Sequence, residues 1–348
     1  MPPIACAEQG SRAWRVVAIG GGTGLSTLLR GLKRYAALPG EAVSSAMTSP
    51  EIVELCAVVT VTDDGGSSGR LRKELNMLPP GDIRNCIVAL SEDEALLSRL
   101  FQHRFARGEG LEGHNFGNLF LAALTSITHD FSVAFHLSSE ILLTRSHIYP
   151  ATTANVELEA IMEDGARVRG ETKITASKGR IKELLLDPAD VEPLPQTLEA
   201  IARADLISIG PGSLFTSLIP NLLVHGIPQA IMNSSAVKVY ICNLMTQANE
   251  SLDLSAADHI RALNAHAQSE RLFDYAMVNC TPVSVELKAR YALEGAAQIV
   301  ADLDEVERLG VKPVVGEYLD EATVARHATD RVARDLLKLV SQLSAKAM

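Results

Sequence analysis

The chain has 348 residues, of which 47% are hydrophobic and 21% are charged, and its formal net charge is −10. This length fits either two domains or one large doubly wound domain, with enough apolar residues for a full core. The acidic balance argues against a general nucleic-acid binder, which would normally carry a basic face.

The first residues, 1–14, lack the basic start and apolar stretch of a secretory signal. With Pro2, Pro3 and small polar residues, they predict a loose leader. No run reaches the roughly 18 uninterrupted apolar residues of a membrane helix, so we expect no membrane span. The cysteines form no C-x-x-C pair and are interpreted as reduced thiols of a cytoplasmic protein. They are Cys6, Cys56, Cys86, Cys242 and Cys280.

From residue 15 onward, apolar β-branched runs alternate with helical patterns. The predicted strands are 15–19, 52–61, 205–209, 227–232, 274–279 and 297–302. The predicted helices are 24–36, 83–103, 116–128, 197–203, 255–267 and 284–293. This alternation implies crossover connections, so we predict a Rossmann-like, doubly wound α/β fold with a mostly parallel sheet, in a single domain over 15–348.

Four glycines and a threonine follow the first predicted strand. Glycine allows a sharp turn, and the first N–H groups of the next helix then point at an anion. The spacing lacks the third glycine of the dinucleotide fingerprint, and no Gly-Lys-Ser/Thr follows as in a P-loop. We therefore predict a nucleotide or phosphate site of unassigned type. Its residues are Gly20, Gly21, Gly22, Thr23 and Gly24.

The segment 61–70 again joins a strand to a helix. Its two acids, Asp63 and Asp64, follow a strand as the ribose-binding acid of a dinucleotide fold does, and they are candidates to hold a ribose or Mg²⁺. A tight turn with an Asx cap is the alternative, although it needs fewer glycines. The other predicted anion contacts here are Ser67, Ser68, Gly69 and Arg70.

Residues 79–85 place two charged side chains at a predicted helix start. Asp82 follows two prolines and a glycine and is a predicted N-cap. Arg84 then falls in the first helical turn, where the helix dipole disfavours a cation. An anionic partner for Arg84 would explain this placement.

Residues 113–119 place a histidine and two asparagines at the start of an apolar helix. His114 is a candidate general acid or base, and Asn115 and Asn118 are candidate hydrogen-bonding partners of a ligand. A purely structural histidine is the alternative interpretation, and the sequence leaves both open.

The segment after 150 departs from the α/β pattern. Alternating apolar residues and the Asp164-Gly165 pair predict an antiparallel hairpin inserted near 150–175. We expect its charged residues to form cross-strand ion pairs rather than a site. They are Glu157, Glu159, Arg167 and Arg169.

A second glycine-rich loop follows the predicted strand 205–209, and the chain ends in a predicted amphipathic helix at 321–345. The loop mirrors the first one and suits a two-part ligand. Docking on the domain and a dimer contact are both open for the helix, and we predict a homo-oligomer. The loop residues are Gly210, Pro211, Gly212 and Ser213.

In their order and number, these segments resemble the YvcK-type gluconeogenesis factors of bacteria, relatives of the CofD-type phospholactyl transferases. The resemblance covers roughly 15–330 and includes 240–247 and the late Arg326 and His327. It implies a nucleotide or UDP-sugar ligand and a role in cell shape and growth on gluconeogenic carbon. It also implies a protein partner in cell-wall metabolism.

The same resemblance places the nucleotide against the two glycine loops and makes Arg326 a candidate contact of the diphosphate. It places any metal, Mg²⁺ in the transferase relatives, near Asp63 and Asp64. After Gln247 the chain reads Ala-Asn-Glu-Ser, where the family usually has a Pro-Gly-Glu-Thr-like turn.

Two functions remain open on the sequence. One is a regulatory protein that binds a UDP-sugar. The other is a Mg²⁺-dependent transferase resembling 2-phospho-L-lactate transferase, with Asp63, Asp64, Arg84 and His114 as catalytic candidates. A dehydrogenase is the weaker third hypothesis, because the glycine spacing differs and no His–acid proton relay is evident.

Overall fold

The computed structural model describes residues 13–37, 51–91, 94–142, 146–177 and 179–346. Its strands are β1 Trp14–Gly20, β2 Ile52–Val59, β3 His147–Pro150, β4 Glu157–Met162, β5 Arg167–Arg169, β6 Ile181–Asp187, β7 Leu206–Ile209, β8 Val237–Ile241, β9 Tyr275–Asn279, β10 Lys312–Gly316, β11 Leu319–Glu321 and β12 Ala325–His327. Its α-helices are α1 Gly22–Leu32, α2 Gly66–Leu75, α3 Gly81–Leu90, α4 Glu94–Gln102, α5 Phe116–Thr128, α6 Phe131–Ile141, α7 Glu171–Ala176, α8 Pro195–Arg203, α9 Ile219–Leu222, α10 Ile227–Asn233, α11 Ala256–His266, α12 Val285–Ala292, α13 Leu303–Arg308 and α14 Thr329–Lys346.

Seven strands form one sheet in the order β10-β9-β8-β7-β1-β2-β3, and every neighbouring pair is parallel. The chain leaves β1 toward β2 and β3 on one side and continues from β7 toward β10 on the other. The strand order therefore reverses between β1 and β7, which is where doubly wound sheets bind ligands, at the carboxyl ends of the strands. The predicted Rossmann-like α/β fold is confirmed.

The segment predicted as an inserted hairpin is a three-stranded antiparallel sheet, because β6 joins β4 and β5 in the order β5-β4-β6. Its predicted cross-strand ion pairs are present. Arg167 lies 3.2 Å from Glu159, and Arg169 lies 3.9 Å from Glu157 and also pairs with Asp187. The alternating pattern identified β4 and β5, but the extra strand follows a helix and carries no hairpin signal.

Two predicted strands are wrong. Residues 227–232 lie in helix α10, which begins at Ile227. Pro228 lies in its first turn, where proline is tolerated because the N–H groups there have no partner within the helix. Residues 297–302 form irregular chain, with one isolated bridge between Gln298 and Met245. Short apolar runs do not distinguish strands from buried helices, and the sheet uses β8 and β10 instead.

The C-terminal helix begins at Thr329 rather than at 321, because β11 and β12 form a small hairpin over 319–327. The apolar stripe of α14 packs against the rest of the domain. Of the two interpretations of this helix, docking on the domain is therefore the correct one. Its buried members are Val332, Ala333, Leu336, Leu337 and Val340. The predicted helix 83–103 is likewise divided into α3 and α4.

Cys56, Cys86 and Cys242 are buried thiols and Cys280 is exposed, whereas Cys6 and most of the predicted leader lie outside the described residues. Within the described ranges, no single helix has the length and apolar character to cross a membrane. One helix pair, Leu214–Leu222 with Ile227–Asn233, meets that test only when joined across a 75° bend.

Helix α14 packs closely on α1 at a glycine, which yields a test of the fold. A Cβ on Gly31 would lie 2.6 Å from the carbonyl oxygen of Thr329. Gly31→Ala should therefore lower the free energy of unfolding by about 1–3 kcal/mol, despite the better helix propensity of alanine. Urea denaturation measures this change.

Gly20→Ala is the matched control, because its nearest neighbour would lie at an ordinary 3.5 Å. Equal stability of the Gly31→Ala variant and the wild type would contradict the packing of α14 on α1.

Candidate functional site

The two glycine loops meet at the switch point of the sheet. The first follows β1, and the second follows β7, its neighbour. A Cβ on Gly24 would lie 2.7 Å from the carbonyl carbon of Pro211 and 3.0 Å from the Cα of Gly212. Only glycine permits this approach of one backbone to the other, so the loops form a single wall.

The first loop leaves the start of α1 open. Gly21 is the N-cap in an extended conformation and has no side chain of its own to cap the helix. Gly22 has a φ of +61°, and its N–H donates to the carboxyl group of Asp82. Thr23 and Gly24 then line an open cleft, so the part of the first helical turn beyond the Gly22 N–H faces the position of an anion.

The second loop is closed by the protein itself. The backbone N–H groups of Phe215 and Thr216 donate to one carboxylate oxygen of Glu250 at 2.8 and 2.9 Å. Glu250 is only 6% exposed. Gln247 Nε2 donates to Ser213 Oγ at 2.7 Å. The carboxyl group of Glu250 thus occupies the position that a ligand phosphate would take at the start of the π-helical segment Leu214–Leu218, which follows this loop.

The amide of Asn243 fixes the same loop from the other side. Its Nδ2 donates to the carbonyl oxygen of Gly212 at 2.7 Å, and its Oδ1 accepts from the Gly212 N–H at 3.3 Å. Gly210 precedes this contact with a φ of +87°. The loop 243–250 therefore acts as a brace that fixes the shape of the second glycine loop.

The cleft beside these loops has a volume of about 1010 Å³. Of the residues predicted to bind a nucleotide, those that line it are Gly21, Gly22, Thr23, Gly24, Pro211, Gly212, Ser213 and Arg326. Lining residues that the sequence analysis did not select include Arg30, Asn85, Glu171, Asn243, Gln247 and Glu250. Gly20, the last residue of β1, and Gly210 lie just behind the wall.

Two arginines and a histidine are the basic side chains that line the cleft. Arg30 comes from the outer end of α1, and Arg326 lies exposed on β12. His327 Nε2 donates to the carbonyl oxygen of Cys242 at 3.0 Å, and burial lowers the pKa of His327 to about 4. The histidine is therefore neutral near pH 7, and the positive charge comes from the arginines.

His114 faces the protein interior. Its Nδ1 lies 3.1 Å from Ser67 Oγ, which also accepts the N–H of Asn115 at 3.2 Å. The tautomer of the ring decides which of Ser67 Oγ and His114 Nδ1 donates in this pair. Burial, followed by the charge of Arg70, lowers the pKa of His114. The predicted acid–base residue and Ser67 thus join α2 to the start of α5.

Asn118 and Arg84 complete this interior cluster. Arg84 Nη1 donates to Asn118 Oδ1, and Nη2 donates to Asn85 Oδ1, both at 2.8 Å. Asn118 Nδ2 donates to Ser68 Oγ at 3.3 Å. The cation in the first turn of α3 is therefore held by two amide oxygens, and one of those amides, Asn85, lines the cleft.

The N-cap prediction for Asp82 is wrong. Helix α3 begins at Gly81 after the N-cap Pro80, and Asp82 lies in the first turn. Its carboxyl group instead accepts the N–H of Gly22, which ties α3 to the first glycine loop. Burial, followed by the charge of Asp63, raises the pKa of Asp82 to about 6.

Asp63 and Asp64 hold local structure. Asp63 Oδ1 accepts the N–H of Gly65 at 2.9 Å, as in the Asx turn that was the alternative. Asp64 Oδ1 accepts the N–H and the hydroxyl of Thr172 at 2.9 and 2.6 Å, which attaches α7 to this loop. A Cβ on Gly69 would overlap the backbone of Asp64, so packing alone requires that glycine.

Arg70 donates to the carbonyl oxygen of Glu112 at 2.8 Å, outside the lining of the cleft. Over the described ranges, no group of three or more His, Cys, Asp or Glu is arranged to hold a metal ion. Mg²⁺ needs only one or two carboxylates when phosphates and water complete its shell. Asp63 and Asp64 each use Oδ1 for these hydrogen bonds, so the Oδ2 atom of each is the oxygen that would serve such a role.

Comparison with known proteins gives consistent matches over most of the chain. The family model described as 2-phospho-L-lactate transferase CofD matches residues 16–319. A Bacillus subtilis protein named gluconeogenesis factor is 45% identical over 94% of this chain and 98% of its own length. A protein of the same name from Halalkalibacterium halodurans is 47% identical over 93% of this chain and 95% of its own.

The fold is also shared with a solved structure. The crystal structure of a Bacillus halodurans protein superimposes with a TM-score of 0.86 at 46% sequence identity. The match covers 94% of this chain and all of the other.

Glu171 gives the site a measurable pH dependence. Burial, followed by the charges of Asp63, Asp82 and Asp64, raises the pKa of Glu171 from 4.5 to about 9. Between these values the folded protein binds more protons than the unfolded chain, so stability falls as pH rises. Glu171→Gln removes this loss, and its Tm advantage over the wild type should grow from about pH 5 to pH 9 in thermal unfolding.

Glu294→Gln is the matched control, because Glu294 also lines the cleft but is exposed. A Tm difference between the Glu171→Gln variant and the wild type that does not change with pH would show that Glu171 ionises normally in the folded state.

Proposed function

Because the chain belongs to the CofD family, among its gluconeogenesis factors, we propose that it binds a UDP-sugar in the cleft and acts as a regulatory protein. The observation that carries this proposal is the joined pair of glycine loops, of which the first leaves the residues beyond the Gly22 N–H, Thr23 and Gly24, facing the cleft. In that arrangement one end of the cleft receives the diphosphate, and the other receives uncharged groups.

The size of the cleft supports a ligand larger than a mononucleotide. Small-molecule sites usually measure about 300–1,000 Å³, and this cleft of about 1010 Å³ is at the upper end of that range. Arg30 and Arg326 supply positive charge for a diphosphate, in an otherwise acidic chain. The amides of Asn85 and Gln247 can hydrogen-bond to the hydroxyl and carbonyl groups of a sugar or uracil.

A binding role is favoured over catalysis by the partners of the catalytic candidates. His114 is paired with Ser67, Arg84 with two asparagines, and Asp64 with Thr172. Each of these groups would have to give up or share an internal hydrogen bond in order to act on a ligand. On this proposal the protein is a cytoplasmic sensor that adjusts growth on gluconeogenic carbon and cell shape through a protein partner in cell-wall metabolism.

The alternative function is a Mg²⁺-dependent transfer of a phospholactyl or nucleotidyl group. One observation favours it, which is the convergence of Asp63, Asp82 and Glu171 beside the open helix start. Asp63 and the ligand phosphates would hold the metal, which would stabilise charge on the transferred group. The proposed sensor needs no such step.

Binding should depend on Arg326 and on the kind of nucleotide. At 100 times its dissociation constant, a UDP-sugar should stabilise the wild type by about 2.7 kcal/mol in thermal-shift assays. Arg326→Ala should weaken this binding by about tenfold or more, because a charged contact to the diphosphate is lost. UDP, GDP, GTP and NAD, each with and without Mg²⁺, complete the panel.

Arg334→Ala is the matched control, because Arg334 is exposed on α14 and does not line the cleft. A wild type that responds to none of these nucleotides would rule out both candidate functions.

Turnover separates the two candidates. If the protein is a transferase, ligand consumption should require Mg²⁺ and should fall by about a hundredfold or more in Asp63→Asn, since a metal ligand is lost. If it is a sensor, the UDP-sugar should remain intact after prolonged incubation with Mg²⁺. Chromatography of the nucleotide pool measures both outcomes, and Glu157→Gln on the inserted sheet is the control.

A further inference from the structure

The cleft continues along α1 beyond the first turn of that helix. Thr23, Thr27 and Arg30 all line it, and their spacings of four and three residues place them on one face of the helix. Since an α-helix rises 1.5 Å per residue, the backbone of Arg30 lies about 10 Å further along the axis than that of Thr23. A ligand held at the start of α1 can therefore extend along the helix toward Arg30.

Helices α3 and α4 supply the neighbouring wall of this part of the cleft. We name as the α4 side the lining residues Thr27, Arg30, Asn85, Ser98 and Gln102. All of them except Arg30 are neutral and polar. Asn85 Oδ1 accepts from Arg84 at 2.8 Å, so its Nδ2 group is left to donate to a ligand. Amide and hydroxyl groups of this kind suit the hydroxyl groups of a sugar.

Arg30 is a half-buried cation in this neutral wall. In the part of the chain that the structure describes, its guanidinium makes no hydrogen bond and no ion pair. The acids that line the cleft, Glu171, Glu250 and Glu294, do not pair with it. A charge that is partly withdrawn from water costs free energy unless an anion or an acceptor compensates it. The planar fork of arginine donors fits the two oxygens of a carboxylate.

The other groups of a UDP-sugar find partners elsewhere in the cleft. The start of α1 and Arg326 face the diphosphate on the proposed function. Tyr291 lines the cleft beside Arg326, because its hydroxyl oxygen accepts the N–H of Ala325 at 3.2 Å. An aromatic ring suits the stacking of a base. The uracil then lies toward Tyr291 and the second glycine loop, which leaves the α4 side to the sugar.

We propose that Arg30 binds a carboxylate on the sugar, so that the cleft favours acidic over neutral nucleotide sugars. This inference rests on the proposed function and adds to it the class of sugar. Arg30 also adds to the positive potential that the diphosphate meets, but this effect is the same for every UDP-sugar. A preference between two sugars therefore reports the direct contact.

UDP-glucuronate and UDP-glucose test this contact, because they differ only at C6, where one carries a carboxylate and the other a hydroxymethyl group. In isothermal titration calorimetry the wild type should bind UDP-glucuronate about tenfold more tightly or better. Arg30→Gln should raise the Kd of UDP-glucuronate by about tenfold or more, and that of UDP-glucose by about threefold or less, since only a screened, longer-range attraction is lost there. Arg30→Lys keeps the charge without the planar fork and should retain part of the preference.

Arg99→Gln is the matched control, because Arg99 is exposed on α4 next to Ser98 and does not line the cleft. It should leave both dissociation constants unchanged. Equal affinity of the wild type for the two ligands would overturn the proposal while UDP-sugar binding itself stands. Equal losses of UDP, UDP-glucose and UDP-glucuronate binding in Arg30→Gln would assign Arg30 to the diphosphate and would also overturn it. A wild type that binds neither UDP-sugar would refute the proposed function and this inference together.

Discussion

The close approach of Gly24 to the Pro211–Gly212 backbone is the constraint on which the site depends. It joins the loops that follow β1 and β7 at the point where the sheet changes direction. Neighbouring strands diverge into opposite crossovers there, so a crevice opens at their carboxyl ends. A side chain at Gly24 would separate the two loops, whereas two bare backbones in contact give the crevice a continuous wall.

The two loops have similar sequences, but they differ in how they can interact with an anionic ligand. Both begin a helical segment, and each could offer N–H groups to an anion. At the second loop, Glu250 already accepts two hydrogen bonds from those groups, in the place where a bound phosphate would accept them. The second loop therefore contributes shape, and the first loop, with Arg30 and Arg326 nearby, contributes the attraction for negative charge.

Sequence reasoning found the loops because their signal is local: an apolar strand, then glycines, then a helix. It could not tell which polar side chains face a ligand. Ser67 and His114 look like site residues in sequence, yet they bond to each other. Arg30 and Glu171 carry no local signal, because the fold alone brings them to the cleft. The strand misassigned at 227–232 has the same cause, since burial and not periodicity makes that run apolar.

The inserted segment that carries α7 is the least predictable part of the cleft. It also determines how much negative charge lies beside the start of α1. Asp64 holds α7 through Thr172, and this contact positions Glu171 near Asp63 and Asp82 at the edge of the open helix start. Fully ionised acids there would repel any phosphate bound by α1. With the pKa of Glu171 raised to about 9, this carboxyl is neutral near pH 7 and offers an O–H donor. The crowding of the acids thus lowers the negative charge that an anionic ligand would meet, in addition to the positive charges of Arg72 and Arg84 that act on the same acids.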